Sequence, residues 1–323
     1  MARYRSALPQ LAGDIFLMDG GMETTLVFHQ GFDLPHFAAF DLLRDEEGRK
    51  ALRSYYDDYV PLAKSRAAGF ILESVTWRAN PDWGRKLGYS SEGVAAANRL
   101  AITMLEDVRR AYEQDGTTIV ISGCVGPRGD GYNPREIMSE FEAEWYHRQQ
   151  IQTLADTAAD MISAMTITNI PEAIGIARAA KANGMPVVIS FTVETDGRLP
   201  TGDGLGDAIQ AVDAATDNGP AYYMINCAHP THFEDVLATS MPWMKRVRAL
   251  RANASTSSHA ELDEATELDD GSPEELGGQY RDLRRLMPWL NVLGGCCGTD
   301  HRHIAAVTEA CCDHLPSDID SAA

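Results

Sequence analysis

Short apolar or β-branched runs alternate with longer amphipathic stretches along nearly the whole chain. The short runs fall at 14–19, 70–75, 118–123, 161–165, 187–192, 222–226, 247–251 and 291–293, and each reads as a buried strand. Between most of them the apolar period is that of a helix. The segments 93–112 and 136–159 are long and periodic, and 171–183 opens on Pro171 and closes at Asn183-Gly184, a helix start followed by a C-cap. Strands separated by helices predict a parallel sheet, because parallel neighbours need crossover connections. At 323 residues the pattern favours an α/β fold of one domain, a closed (β/α)8 TIM barrel, over an open doubly wound sheet. The barrel domain is expected over 1–315, with 316–323 a frayed, disordered tail. One stretch breaks the rhythm. Residues 252–278 are polar and acidic, follow the seventh strand, and read as a long loop with one helical turn, either a solvated surface or a lid.

Composition narrows the partners. The formal net charge is -19, and no run of Lys and Arg offers a phosphate-binding surface, so no nucleic-acid partner is expected. No stretch of eighteen apolar residues suggests a membrane span, and the opening MARYRSALPQLAGDIFLMDGG lacks the apolar length and small-residue cleavage pattern of a secretory signal. A cytoplasmic location follows as the expectation. Six cysteines are too few for a disulfide scaffold in a chain this long, which leaves metal binding or catalysis for those that cluster.

Three of them fall where barrel chemistry is built. Cys227 follows the run AYYMIN, and Cys296 and Cys297 follow NVLGG, each just past a predicted strand end. In a barrel those ends share one face. Three thiolates suit Zn2+ and leave its fourth tetrahedral position open, as in a catalytic site. Gly294, Gly295 and Gly298 would let adjacent cysteines turn toward one ion. The residues alone leave this open, since a buried free cysteine is usually a small hydrophobe. That plainer reading is taken for Cys124, Cys311 and Cys312. Glu23 and Glu73 stand beside strand ends as ordinary charges or as substrate contacts.

The strings DGGMETTL (19–26), CVGPRGD (124–130), INCAHP (225–230) and GGCCGT (294–299) resemble, in order and spacing, the signatures of the homocysteine S-methyltransferase family. The resemblance implies a (β/α)8 barrel with zinc on Cys227, Cys296 and Cys297. It implies a substrate set in which Asp19 helps bind the amino acid, Gly20, Gly21 and Thr24 shape the turn, and Asn226 orients a ligand or the substrate. The implied reaction moves a methyl group to the thiol of homocysteine, forming methionine. A sulfonium donor such as S-methylmethionine or S-adenosylmethionine is expected before betaine, and the chain has no room for added folate and cobalamin domains. Trp77, Trp83, Tyr132 and Trp145 are candidate aromatic faces for such a cation.

Two departures stand out. Glu23 replaces a family glycine, and Met165 stands where many members carry a glutamate for the amino group of homocysteine. Either Asp19 or Glu73 takes over, or another small thiol is the acceptor. A zinc- or thiol-binding barrel without methyl transfer is the competing class. A zinc hydrolase is weaker still, because no HExxH is present and His301 and His303 lack that spacing. The oligomeric state is left open.

Overall fold

The strands form as the apolar runs predict. They are β1 (Phe16–Leu17), β2 (Gly69–Glu73), β3 (Ile119–Val125), β4 (Met161–Ile167), β5 (Val187–Phe191), β6 (Tyr222–Asn226), β7 (Val247–Ala252) and β8 (Val292–Gly295). All pairs are parallel, in sequence order, and β8 closes onto β1. This is the (β/α)8 barrel expected from the sequence. The computed structural model describes residues 1–312 other than 67, 115, 135 and 240, and the expected tail at 316–323 lies outside them.

Element ends depart from the periodic reading where capping decides them. The expected strand 14–19 pairs only over Phe16–Leu17, although Met18 N still bonds to Leu293 O and Gly295 N to Asp19 O. The helix expected at 136–159 runs Glu140–Ala155, because Ser139 and Glu142 form a reciprocal capping box. Between β6 and β7 there are only short turns, Pro230–His232, Glu234–Leu237 and Pro242–Arg246. The stretch 252–278 holds a capped helix, His259–Glu264, and the start of a second, Pro273–Leu286. No described helix is long and apolar enough to cross a membrane.

Outward strand residues pack beneath the helices in one large core. The barrel interior is a second, smaller core of Phe16, Ile71, Val120, Met161, Val188, Tyr222, Ala249 and Val292. Leu8 joins it, and Gln10 Nε2 reaches Tyr222 Oη at 3.3 Å, plugging the N-terminal end. Two positions further along β2, β3, β4, β5 and β7, and four further along β6, the interior turns polar. Glu73, Ser122, Ser163, Ser190, Asn226 and Arg251 are all buried there. Buried polar groups at the C-terminal end of a barrel mark the face on which such folds build sites.

Candidate active site

The ends of β6 and β8 bring three cysteines together. The reactive sulfurs of Cys227, Cys296 and Cys297 all lie within 4.8 Å of one another. Those of Cys227 and Cys296 are in direct contact, with their Cα atoms 5.5 Å apart. Around a tetrahedral zinc with bonds of about 2.3 Å, sulfurs stand roughly 3.8 Å apart, a spacing inside the 4.8 Å limit of the triad but wider than the direct Cys227–Cys296 contact. Polar groups of the chain converge on each sulfur. Asn226 Nδ2 donates to Cys227 Sγ at 3.3 Å and to Cys296 Sγ at 3.9 Å. Thr166 Oγ1 lies 3.8 Å from Cys227 Sγ, and Tyr132 Oη 3.6 Å from Cys297 Sγ. Hydrogen bonds donated to sulfur favour its anionic form, the one that ligates a metal, while burial pulls the other way and raises the pKa of the Cys297 thiol. The donor set and its surroundings therefore fit a soft divalent ion.

The backbone is shaped for this convergence. Cys227 sits at φ 55° and Thr166 at φ 61°, left-handed positions that a β-branched or bulky residue rarely takes. Thr166 lies where the β4–β5 register shifts, a bulge that turns its N–H toward Asn226 Oδ1 at 2.9 Å. Ser190 Oγ donates to the same oxygen at 2.5 Å, so the Asn226 amide is left with its NH2 facing the sulfurs. His259 Nε2 donates to the carbonyl of Cys227 at 2.6 Å, and its Nδ1 lies 3.1 Å from Glu194 Oε1. Of the glycines expected to free the second cysteine pair, only Gly298 takes a left-handed φ.

The DGG motif turns the chain into the helical segment Met22–Thr24 and also ties the first loop to the barrel. Asp19 is buried with both oxygens engaged, Oδ1 by Arg251 Nη1 at 2.5 Å and Oδ2 by Tyr55 Oη at 3.0 Å. Arg251 Nη2 and Tyr55 Oη also donate to the carbonyl of Gly20. At Gly21 the reason for glycine is close approach, since a Cβ would stand 2.5 Å from the carbonyl oxygen of Cys296. Thr24 Oγ1 donates to the carbonyl of Gly21 and accepts from Gly298 N, stitching the first loop to the cysteine loop.

Glu73 is the exception in this network. It is 6% exposed, with neither carboxylate oxygen in a hydrogen bond of ordinary geometry, although the Ser122 and Ser163 hydroxyls lie near enough to favour its ionised form. Burial raises its pKa from the usual 4.5 to about 7, against the pull of the Arg251 charge. By register it shares a layer of the barrel with Ser163, Met224 and Gly294, below the ring of Cys124, Ser190 and Arg251. Met165 packs among the apolar interior residues.

The loops after β2, β3 and β7 form the mouth. Tyr132 stacks on His259 with ring centroids 4.1 Å apart, which brings the helix His259–Glu264 over the cysteines. Trp83 has Arg78 over one face at 3.9 Å and Lys86 at 3.7 Å, so it has no face for a donor cation. Trp145 is 70% exposed on the helix Glu140–Ala155 and stands away from the site. Of the four aromatic candidates, Trp77 and Tyr132 remain at the mouth. Sequence reasoning missed Arg251, Tyr55, Thr166, Ser190 and His259. Arg251 and Ser190 had a signal: they stand two positions beyond interior Ala249 and Val188 on their strands, so alternation turns them inward.

The homocysteine S-methyltransferase family model matches residues 16–311. The chain is 24% identical over 318 residues to a selenocysteine Se-methyltransferase of Brassica oleracea var. italica, covering 91% of this chain and 88% of that protein. It is 23% identical over 320 residues to homocysteine S-methyltransferase 2 of Arabidopsis thaliana, covering 91% and 92%. Among solved structures, the oxidized form of the homocysteine methyltransferase MmuM from Escherichia coli matches with a TM-score of 0.73 at 21% identity. That match covers 94% of this chain and 99% of the other.

Proposed function

Since the chain belongs to the homocysteine S-methyltransferase family and is a methyltransferase, we propose that it carries a methyl group from a sulfonium donor to the thiol of homocysteine, with zinc held by Cys227, Cys296 and Cys297. The observation that carries this reading is the sulfur triad at the ends of β6 and β8, with Asn226, Thr166 and Tyr132 aimed at its members. A free thiol with a pKa near ~8.5 is mostly protonated at neutral pH, and a zinc ion there would supply the means to keep the acceptor sulfur as thiolate.

The chain's own residues then bind and align. Glu73 receives the ammonium of homocysteine, in place of the family's glutamate at Met165. Asp19 is already committed to Arg251 and Tyr55, whereas buried Glu73 has no charged partner in contact among the described residues and only the nearby hydroxyls of Ser122 and Ser163 beside it. Arg251 and Tyr55 fix the first loop, and Thr24 holds the cysteine loop against it. The helix His259–Glu264 covers the mouth and limits water there, and His259 holds the Cys227 carbonyl. The acceptor sulfur forms a bond to the donor methyl as the methyl–sulfonium bond breaks. The electron pair leaves with the donor sulfur, giving methionine and a neutral thioether. Alignment of the two reactants supplies the rate, an effect worth roughly 7–11 kcal/mol when geometry is good.

The test is a product assay with zinc-loaded, reduced protein and S-methylmethionine, S-adenosylmethionine or betaine as donor. The expected result is methionine from homocysteine with a sulfonium. Methylation of another small thiol with none of homocysteine would replace the acceptor. Zinc bound without turnover of any donor would favour a metal-binding barrel.

A further inference from the structure

Arg78, five residues beyond the end of β2, is a buried cation without a partner of opposite charge in contact among the described residues. It is 7% exposed and lies between two indoles, 4.1 Å from Trp77 and 3.9 Å from Trp83. Among the described residues its one hydrogen bond runs from Nη1 to the carbonyl of Gly129 at 3.0 Å, and Nε is buried without a partner. Asp130, Glu23 and Asp263 act on it only through space. A guanidinium over two aromatic faces, with Nη1 bonded to Gly129, leaves its Nε–Nη2 edge as the fork that clamps a carboxylate. Burying Nε unsatisfied is costly, and a ligand that completes it recovers the cost.

Arg78 also stands next to the chemistry. Trp77 Nε1 donates to the carbonyl of Met165, and Tyr132, which interacts with Arg78, is the residue whose hydroxyl meets Cys297. Glu73 lies inside the barrel below the cysteines, whereas Arg78 lies on a mouth loop. A methyl group moving in line needs acceptor and donor on opposite sides of it. The interior side belongs to the acceptor on the reading above, on which this inference rests.

We infer that Arg78 anchors the carboxylate of the methyl donor, with Glu23, Asp130 and Asp263 facing the donor's positive charge. The donor is then a zwitterionic, carboxylated sulfonium, and a simple alkyl sulfonium is a poor substrate.

The test compares S-methylmethionine with (3-aminopropyl)dimethylsulfonium, which lacks only the carboxylate. Arg78→Gln should raise the KM for S-methylmethionine by at least about tenfold, the effect of losing a charge-assisted pair. It should leave the decarboxylated donor and the KM for homocysteine within about twofold. An equal rise for both donors would reduce Arg78 to a packing residue, and a rise for homocysteine alone would move it to the acceptor; either overturns the assignment. If Arg78→Gln does not fold, Arg78→Lys keeps a cation between the rings and loses the fork, and is read the same way. Calorimetric binding of the two sulfoniums gives the same comparison without turnover. A preference for S-methylmethionine that vanishes in the variant upholds the subsite even if no thiol is methylated, an outcome that would count against the acceptor reading alone. Binding without preference overturns the subsite.

Discussion

Glu73 illustrates how a binding group can weaken the fold that holds it. In the unfolded chain it ionises near 4.5, and in the folded protein burial moves that to about 7. Between those values the folded state holds a proton that the unfolded state has lost, so stability falls as pH rises and the full penalty is reached above about 7. Glu73→Gln should therefore be more stable than the parent near pH 8, by up to roughly 3 kcal/mol in urea unfolding, and closely matched near pH 4. The same substitution should raise the KM for homocysteine about tenfold and leave a thiol without the amino group unaffected. Only the carboxylate pairs with ammonium, so parental affinity for homocysteine should strengthen as pH climbs through about 7. A variant no more stable at pH 8 would show that Glu73 is not held at a raised pKa. Arg251 behaves oppositely. Arg251→Leu strands the buried Asp19 carboxylate and should cost about 3–5 kcal/mol in the same unfolding assay. Asp19 was legible in its motif. Its two partners were not, because pairing across the barrel depends on register that no local pattern carries.

At the level of elements the apolar runs located all eight strands, since a buried parallel strand needs a short continuous apolar segment. Their ends were less legible. Caps such as Ser139 stop helices within an apolar period that would otherwise extend them. The stretch 252–278 is exposed over most of its middle, as its acidic composition suggested. What composition did not carry is that Ser255 and His259 are buried in it and make specific bonds. His259 links this segment to a proposed metal ligand through Cys227 O and to Tyr132 by stacking. His259→Ala should speed amide hydrogen exchange over residues 256–264 and lower kcat/KM by about tenfold through the loss of one buried hydrogen bond and its alignment. Unchanged exchange would mean that other contacts secure the segment.

For the whole molecule, the barrel collects ends of strands far apart in sequence, so Cys227 and Cys296, 69 residues apart, come into contact. The ordered motifs conveyed that arrangement from the sequence, and the geometry adds the polar groups facing each sulfur. A ligand that binds the folded state and not the unfolded one stabilises it. Chelation should therefore lower the thermal midpoint, and added zinc should restore it. The most direct test of the account measures metal content and methionine formation on the same samples of parental protein and Cys297→Ser. The account predicts about one zinc per chain and turnover in the parent, with both lost together in the variant. Full turnover by Cys297→Ser without metal would contradict it.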